Sequence, residues 1–364
     1  MRRAGLVDPF ATPALACAAI GGVQAQIVPA AGLALWNRTR GFTHAALERG
    51  LYDDRTLIKL WGQRHTLHLY PSHEWAFVHA VVSSRETWWE RQFIARGGDA
   101  TAHRAVVARV TAMLEQRGTL GRGDLRAADL GLPAELLSSW GGIFAELVRR
   151  GVACHAKPVG SDGRFAHRTH WLQDLAWDVP DSESANIEFA RRYLRTYAPA
   201  STQDFAYWRG ARVGDAARWI AALGDEVSCV RMNGRDAWML REDLAMLGER
   251  PPPRSAWPVR MLYRFDPLLL AHRDKDWAVA PEFYDRVWRP AGHIEGIVLV
   301  HGRAAATWRY ERDEDDVAIT VHPFEALDAR TKREIEAGAD GVAGYFEARL
   351  SDVKINAVRR KRAA

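Results

Sequence analysis

Residues 21–32 read GGVQAQIVPAAG and set two primary amides, Gln24 and Gln26, one residue apart between a glycine pair and the start of a helix. In an extended backbone residues i and i+2 point to the same side, whereas on a helix they diverge. Pro29 suits the first turn of the helix that follows and resists its extension backwards. An extended segment with both amides facing one point is therefore expected. Three uses are open to such a pair. The amides satisfy backbone groups in a buried turn or at a helix start. Alternatively they bond adenine in bidentate fashion. In a third use they fix a water molecule and favour, through their oxygen dipoles, a positive charge developing beside it.

Composition narrows the setting. A chain of 364 residues with 48% hydrophobic content can bury a large core divided among two or more compact units. No stretch reaches the roughly 18 uninterrupted apolar residues of a membrane span. The opening MRRAGLVDPFATPALACAAIGG has its apolar part broken by Asp8, Pro9 and Pro13, so a cytoplasmic protein without a membrane partner is expected. Cys17, Cys154 and Cys229 lie far apart with no CxxC or Cys/His spacing, which argues against a disulfide framework and a structural zinc site; they are expected to be packing residues. A net charge of +5 suits an anionic partner through a basic patch. One local concentration of charge is the terminal RRKRAA, and the acidic run ERDEDD at 311–316 reads as a solvated turn.

The elements that must position the amides repeat one grammar three times: helix, turn, amphipathic helix, then strands closing on a tight tip. The middle copy is clearest. TLGRGDLRAADLG gives a first helix, SSWGGIFAELVRRG a second with Ile143, Phe144, Leu147 and Val148 on one face, and VACHAKPVGSDGRFAHRTHW a strand pair about GSDG. The third runs STQDFAYWRG, then RVGDAARWIAALG with Trp219, Ile220 and Leu223 inward, then EVSCVRMNGRDAWML turning at Asn233-Gly234. In the first, FTHAALERG and DDRTLIKLWG are expected helices, and RHTLHLYP is a strand without an obvious partner. This grammar describes a winged helix, a variant of the helix-turn-helix DNA readers that also serves as a packing or protein-binding module. Beyond residue 250, PPPRSAWP reads as a linker, HIEGIVLVHGRAAATWRY as a hairpin about His301-Gly302, and EALDARTKREIEAGADGVAGYFEAR as a closing helix. The expected architecture is α+β: winged helices over 1–90, 91–180 and 181–250, then a β-rich region over 251–364.

Taken in order, GGVQAQ with its helix, WGQRHTLHLYP, STQDFAYWRG, FDPLLLAHRD and GIVLVHGRAAATW resemble the bacterial winged-helix DNA glycosylases typified by AlkZ and its YcaQ-type relatives. The likeness spans almost the whole chain. It implies tandem winged helices in a C shape around a DNA-sized cleft, and excision of alkylated purines, in some members from interstrand crosslinks. It places the family's Gln-x-Gln motif on Gln24 and Gln26 as catalytic residues. Such chemistry needs neither metal nor organic cofactor, because a purine alkylated at N7 or N3 already carries the positive charge that makes it leave. The implied partner is double-stranded DNA containing alkylated purines, bound by a monomer. The rival reading is a non-enzymatic winged-helix protein, a transcription regulator or damage binder, which has no need of the paired amides. A third, a protein-interaction scaffold, predicts no salt-dependent DNA affinity.

Other candidates surround this centre. Strand alternation sends Thr66, His68 and Tyr70 to one side and His65, Leu67 and Leu69 to the other. The resemblance sets this strand beside the glutamines, making His65, Thr66 and His68 candidates to line the cleft or bond a phosphate; ordinary structural histidines are the alternative. Arg38, Arg40, Arg64, Arg149, Arg150 and Arg164 sit at helix ends or wing tips, where they reach phosphates or simply solvent. LLLAHRDKDW resembles a C-terminal region of the family that approaches the minor groove, with His272 and Arg273 as candidate contacts and a plain surface loop as the alternative. Of 15 tryptophans most are expected in the core, Trp36, Trp61 and Trp219 on apolar helix faces, with Trp140 more exposed and available for stacking.

Overall fold

The computed structural model describes residues 1–83, 88–130, 132, 134–138, 142–232, 234–250 and 252–358. Trp140, Asn233 of the third turn, Pro251 of the linker and the terminal RRKRAA lie outside the described residues. The architecture is α+β and divides into two compact units, one of Glu48–Phe189 and one of Met1–Leu47 with Ala190–Ala364.

In the continuous unit, a long helix Ala100–Arg117 starts where the Asp99 carboxylate accepts the Thr101 amide at 2.8 Å, and stops at Gly118. It buries Val107, Val110 and Leu114. The strand Thr119–Gly121 and helix Arg122–Ala127 follow, then the helix Gly142–Arg149 with Ile143, Phe144, Leu147 and Val148 all at most 3% exposed, as its 3.6-residue spacing predicts. The hairpin Ala153–Val159 with Asp162–His167 turns at the glycine-rich GSDG, and Thr119–Gly121 adds to its second strand. Phe144 stacks on Phe165 with ring centroids 4.2 Å apart. Burial of each such ring contributes about 1.5–3 kcal/mol and fixes helix against hairpin.

One expectation fails here. DDRTLIKLWG is not a helix: Leu57–Trp61 is a strand that pairs antiparallel with Leu67–Pro71, in a register from Leu57 opposite Pro71 to Trp61 opposite Leu67. It supplies the partner that RHTLHLYP lacked, and Trp61 lies on a strand. Leu57, Ile58 and Leu60 are all at most 2% exposed, so both faces of the strand are buried. A strand apolar on both sides loses the alternation that distinguishes it from a helix.

In the discontinuous unit the helix Thr202–Arg209 begins with a reciprocal capping box, Ser201 N donating to Asp204 Oδ2 at 2.9 Å and Asp204 N to Ser201 Oγ at 3.1 Å. The helix Val213–Ala221 and hairpin Val227–Met232 with Arg235–Leu240 complete the third helix-helix-hairpin succession, with Trp219, Ile220 and Leu223 buried. Beyond it lies an open five-stranded sheet, ordered Arg349–Ile355, Asp316–Pro323, Arg303–Asp313, Gly296–Val300, Arg260–Leu262. The hairpin about His301-Gly302 is present, and ERDEDD spans the next hairpin turn, with exposed Glu314-Asp315 at its tip and the flanking residues ending the two strands. Neighbours are antiparallel except Asp316–Pro323 with Arg349–Ile355, which are parallel because the helix Ala329–Tyr345 carries the chain back between them. Trp308 is fully buried and donates its indole N–H to the Leu262 carbonyl at 2.9 Å. Cys17 and Cys154 pack in the interior, whereas Cys229 is exposed. Among the described residues no helix is long and apolar enough to cross a membrane.

Candidate active site

The glutamines sit between two short helices of the discontinuous unit. The first, Pro13–Ile20, is capped by the Thr12 hydroxyl, which accepts the Leu15 amide at 3.2 Å. It ends at Gly21 with φ 71°, followed by Gly22 with φ 96° and its amide on the Cys17 carbonyl at 2.8 Å. Two successive positive φ values are available to glycine without a steric penalty, and they turn the chain sharply out of the helix. Val23–Gln24 is extended, and so is Ile27, the residue before the next helix, Val28–Trp36. Pro29 stands in the first turn of that helix, as expected.

Burial steps down along this segment. Val23 and Ala25 are fully buried, Gln24 is buried at 9% exposure, and Gln26 and Ile27 are exposed. The buried residues root the start of the segment, and Gln26 stands at its outer end. Gln24 is thus largely enclosed, while Gln26 reaches solvent.

The roots of this segment are braced from distant sequence. Thr196 Oγ1 donates to the Ala19 carbonyl at 2.5 Å and Tyr197 Oη to the Ile20 carbonyl at 3.0 Å, satisfying the last carbonyls of the first helix. His272 Nε2 in turn donates to the Tyr197 carbonyl at 2.9 Å. On the far side, a Cβ on Gly32 would collide with the Tyr345 hydroxyl, so the second helix needs glycine there to lie against Ala329–Tyr345. Asn37 Nδ2 donates to the Leu33 and Met261 carbonyls at 3.1 and 3.0 Å.

Two of the expected DNA contacts, Arg38 and His68, are internal instead, and a third, His272, is half-buried and tied to the fold. Arg38 is fully buried, bonding Asp266 through both terminal nitrogens at 2.8 and 2.7 Å and the Ala34 carbonyl at 2.8 Å; the bidentate partner holds its charge in place although burial opposes it. It cannot reach a phosphate. His68 is 2% exposed, its pKa lowered to about 3 by burial and by Arg64, so it is a neutral core residue. His272 spends Nε2 on Tyr197 and encloses Nδ1, with burial lowering its pKa. Its ring braces the fold. Arg273 beside it is exposed, with its amide fixed by Asp204 Oδ1 at 2.8 Å. Arg273 and His272 border a cleft of about 1070 Å³ that also meets Tyr197, Arg235, Trp277 and Tyr284.

The remaining candidates belong to the continuous unit. Arg64 is half-buried, His65 exposed and Thr66 half-buried, all in the connection between the strands Leu57–Trp61 and Leu67–Pro71. Arg149, at the end of the helix Gly142–Arg149, places Nη2 2.5 Å from His65 Nδ1. Arg150 is held by Glu146 and Glu90, and Arg164 by Asp124, so both are structural; Arg40 is exposed. Residue types at helix ends pointed to these arginines, but only the three-dimensional partners separate them. Thr196 and Tyr197 escaped sequence reading because a hydroxyl on an apolar helix face signals core packing and nothing more.

An α+β chain with two amides on a braced segment between two short helices matches the family model described as DNA glycosylase AlkZ-like over residues 17–345, and the protein belongs to that family. It is similar to the Interstrand DNA cross-link repair glycosylase of Streptomyces sahachiroi, 27% identical over 332 residues that cover 88% of this chain and 87% of that one. The solved Streptomyces sahachiroi DNA glycosylase AlkZ superposes with a TM-score of 0.81 at 25% identity, covering 98% of this chain and 97% of the other.

Proposed function

We propose that this DNA glycosylase hydrolyses the bond between C1′ and N9 of purines made cationic by alkylation at N7 or N3, including purines tethered in interstrand crosslinks. What supports the reading is the setting of the glutamines: fully buried Val23 and Ala25 root the segment, Gln24 is 9% exposed between them, and Gln26 beyond them reaches solvent. Gln26 orients the attacking water, and Gln24, more enclosed, directs its carbonyl dipole to the sugar as positive charge builds there. The C1′–N9 bond breaks with its electron pair passing to the base, which neutralises the alkylated ring. The water oxygen bonds to C1′, and its proton leaves to solvent. No acid is needed at the base, so neutral amides suffice and normal purines are spared.

The segments 1–90, 91–180 and 181–250 are read as tandem winged helices that take up duplex DNA as a monomer, followed by the β-rich region of 251–364. Crosslinks are included because the Streptomyces sahachiroi relative is named for their repair. The test is incubation of purified protein with duplex DNA containing N7-methylguanine, followed by alkali and heat to break strands at abasic sites. Wild type releases base and the Gln24→Ala, Gln26→Ala double variant does not. Equal release by both overturns the assignment, and salt-dependent binding without any release makes the protein a damage binder.

A further inference from the structure

The second helix-helix-hairpin succession is sealed where such a motif usually reads DNA. Every residue of its second helix from Gly142 to Val148 is buried, Glu146 included, so that helix turns no face outward to a base edge. What projects is the hairpin. Its base is rooted in the core by Ala153, Cys154, Ala156, Phe165 and Ala166, all at most 6% exposed, whereas its far end, Lys157 to Ser161, is exposed at every residue.

The far end holds an apolar side chain outward. Ala156 stands opposite Arg164 and Val159 opposite Asp162, so Lys157 and Pro158 share the single partner position of Gly163, a bulge that bends the strand and re-aims the side chains beyond it. Proline fits there because a bulge leaves a backbone donor without a ladder partner, and its ring fixes the backbone next to Val159. Gly160, with φ 58°, makes the turn. Val159 is 68% exposed, more than any other large apolar side chain among the described residues. From 157 to 161 the one charge is that of Lys157, whose ammonium lies 6.0 Å from the centre of the Tyr52 ring. The adjoining acid is drawn back to the base: Asp162 accepts the Arg122 amide at 3.3 Å and lies 3.9 Å from Arg164.

An apolar point flanked by one cation suits an anionic partner with a narrow cleft. The minor groove of DNA is about 6 Å wide, too narrow for a helix but open to a hairpin end of small residues, and apolar side chains, proline among them, wedge into it in other proteins. We propose that Pro158 and Val159 enter the minor groove of duplex DNA as an apolar wedge, with Lys157 on the flanking phosphates. The inference rests on the reading that this chain acts on duplex DNA; any stretch of duplex serves, damaged or not. Because an apolar contact releases no counterions, its share of the affinity does not vary with salt.

The test titrates full-length protein into undamaged duplex at several salt concentrations, and into matched duplexes built of guanine·cytosine or inosine·cytosine pairs, which differ by the guanine N2 amino group in the minor groove. Val159→Ser keeps the thermal midpoint, weakens binding by about tenfold at each salt concentration and leaves the logarithmic salt slope unchanged. Val159→Ile keeps the affinity, and Lys157→Ala lowers the slope by about one. Wild type prefers the inosine duplex, and Val159→Ser loses that preference. Unchanged affinity in Val159→Ser overturns the wedge, as does an inosine preference that survives the substitution or a loss shared by Val159→Ile. Base release from N7-methylguanine duplex is measured in parallel. The Gln24→Ala, Gln26→Ala variant keeps the inosine preference while releasing no base, and a wild type that releases none yet shows the Val159-dependent preference loses the catalytic reading and keeps this one.

Discussion

Tyr197 donates its hydroxyl to the Ile20 carbonyl at 3.0 Å, so a residue late in one helix holds the last turn of another, four residues before Gln24. Tyr197→Phe removes that donor and keeps the ring. Stability is expected to fall by about 1–2 kcal/mol from the unsatisfied buried carbonyl. The rate of base release at saturating DNA should fall several-fold as the amides lose alignment, with the half-saturating DNA concentration unchanged. Denaturant titration and single-turnover release measure the two effects separately. A rise in half-saturation with unaltered rate would mean that Tyr197 serves binding instead.

Arg38 and Asp266 are both fully buried, so cutting the pair leaves a charge stranded in the interior. Either Arg38→Met or Asp266→Asn should cost about 3–5 kcal/mol in unfolding free energy. Neither should alter the slope of DNA affinity against salt for the protein that remains folded. A slope reduced by Arg38→Met would restore this arginine to the DNA surface.

His272 and Arg273 adjoin in sequence but differ in role. Arg273→Ala should lower the logarithmic salt slope of DNA binding by about one counterion. His272→Ala should leave the slope alone and lower the thermal midpoint, since it removes the donor to Tyr197. Binding isotherms at several salt concentrations distinguish the two.

Acid should weaken the fold through His68 and His155. Burial lowers the first to about 3 and the second well below its ordinary 6.5. Unfolding lets each ring take up a proton near pH 6.5, so the stability they support is present above that value and is lost as the pH falls toward 3. Each neutral ring contributes a slope of about 1.4 kcal/mol per pH unit in that window. Urea midpoints at pH 7 and pH 5 should show the loss, and His68→Gln should flatten the dependence.

Local signals carried far in this chain. The non-helical break at the glutamines was legible from Gly21-Gly22 before it and Pro29 after it, although the strand holds only Val23–Gln24 and Gln26 lies at a bend, and the helix Gly142–Arg149 was legible from the spacing of Ile143, Phe144, Leu147 and Val148. Legibility stopped where a partner lies far off in sequence. Arg38 reads as a helix-end cation until Asp266 is seen against it, 228 residues away, and the brace from Tyr197 spans 177. The strand Leu57–Trp61 escaped for another reason: buried on both faces, it carries no alternation to read. Exposure of His65 and burial of His68 likewise depend on the strand partner that the helix assignment had removed.

The unit that bears both glutamines is assembled from Met1–Leu47 and Ala190–Ala364, and its amide-bearing segment leans on Tyr197, Met261, Asp266 and Tyr345. During translation the amides emerge first and their supports last. The glutamine segment therefore gains its braces only after at least the first 345 residues have been made, and a shorter nascent chain carries the two amides without the contacts that hold them.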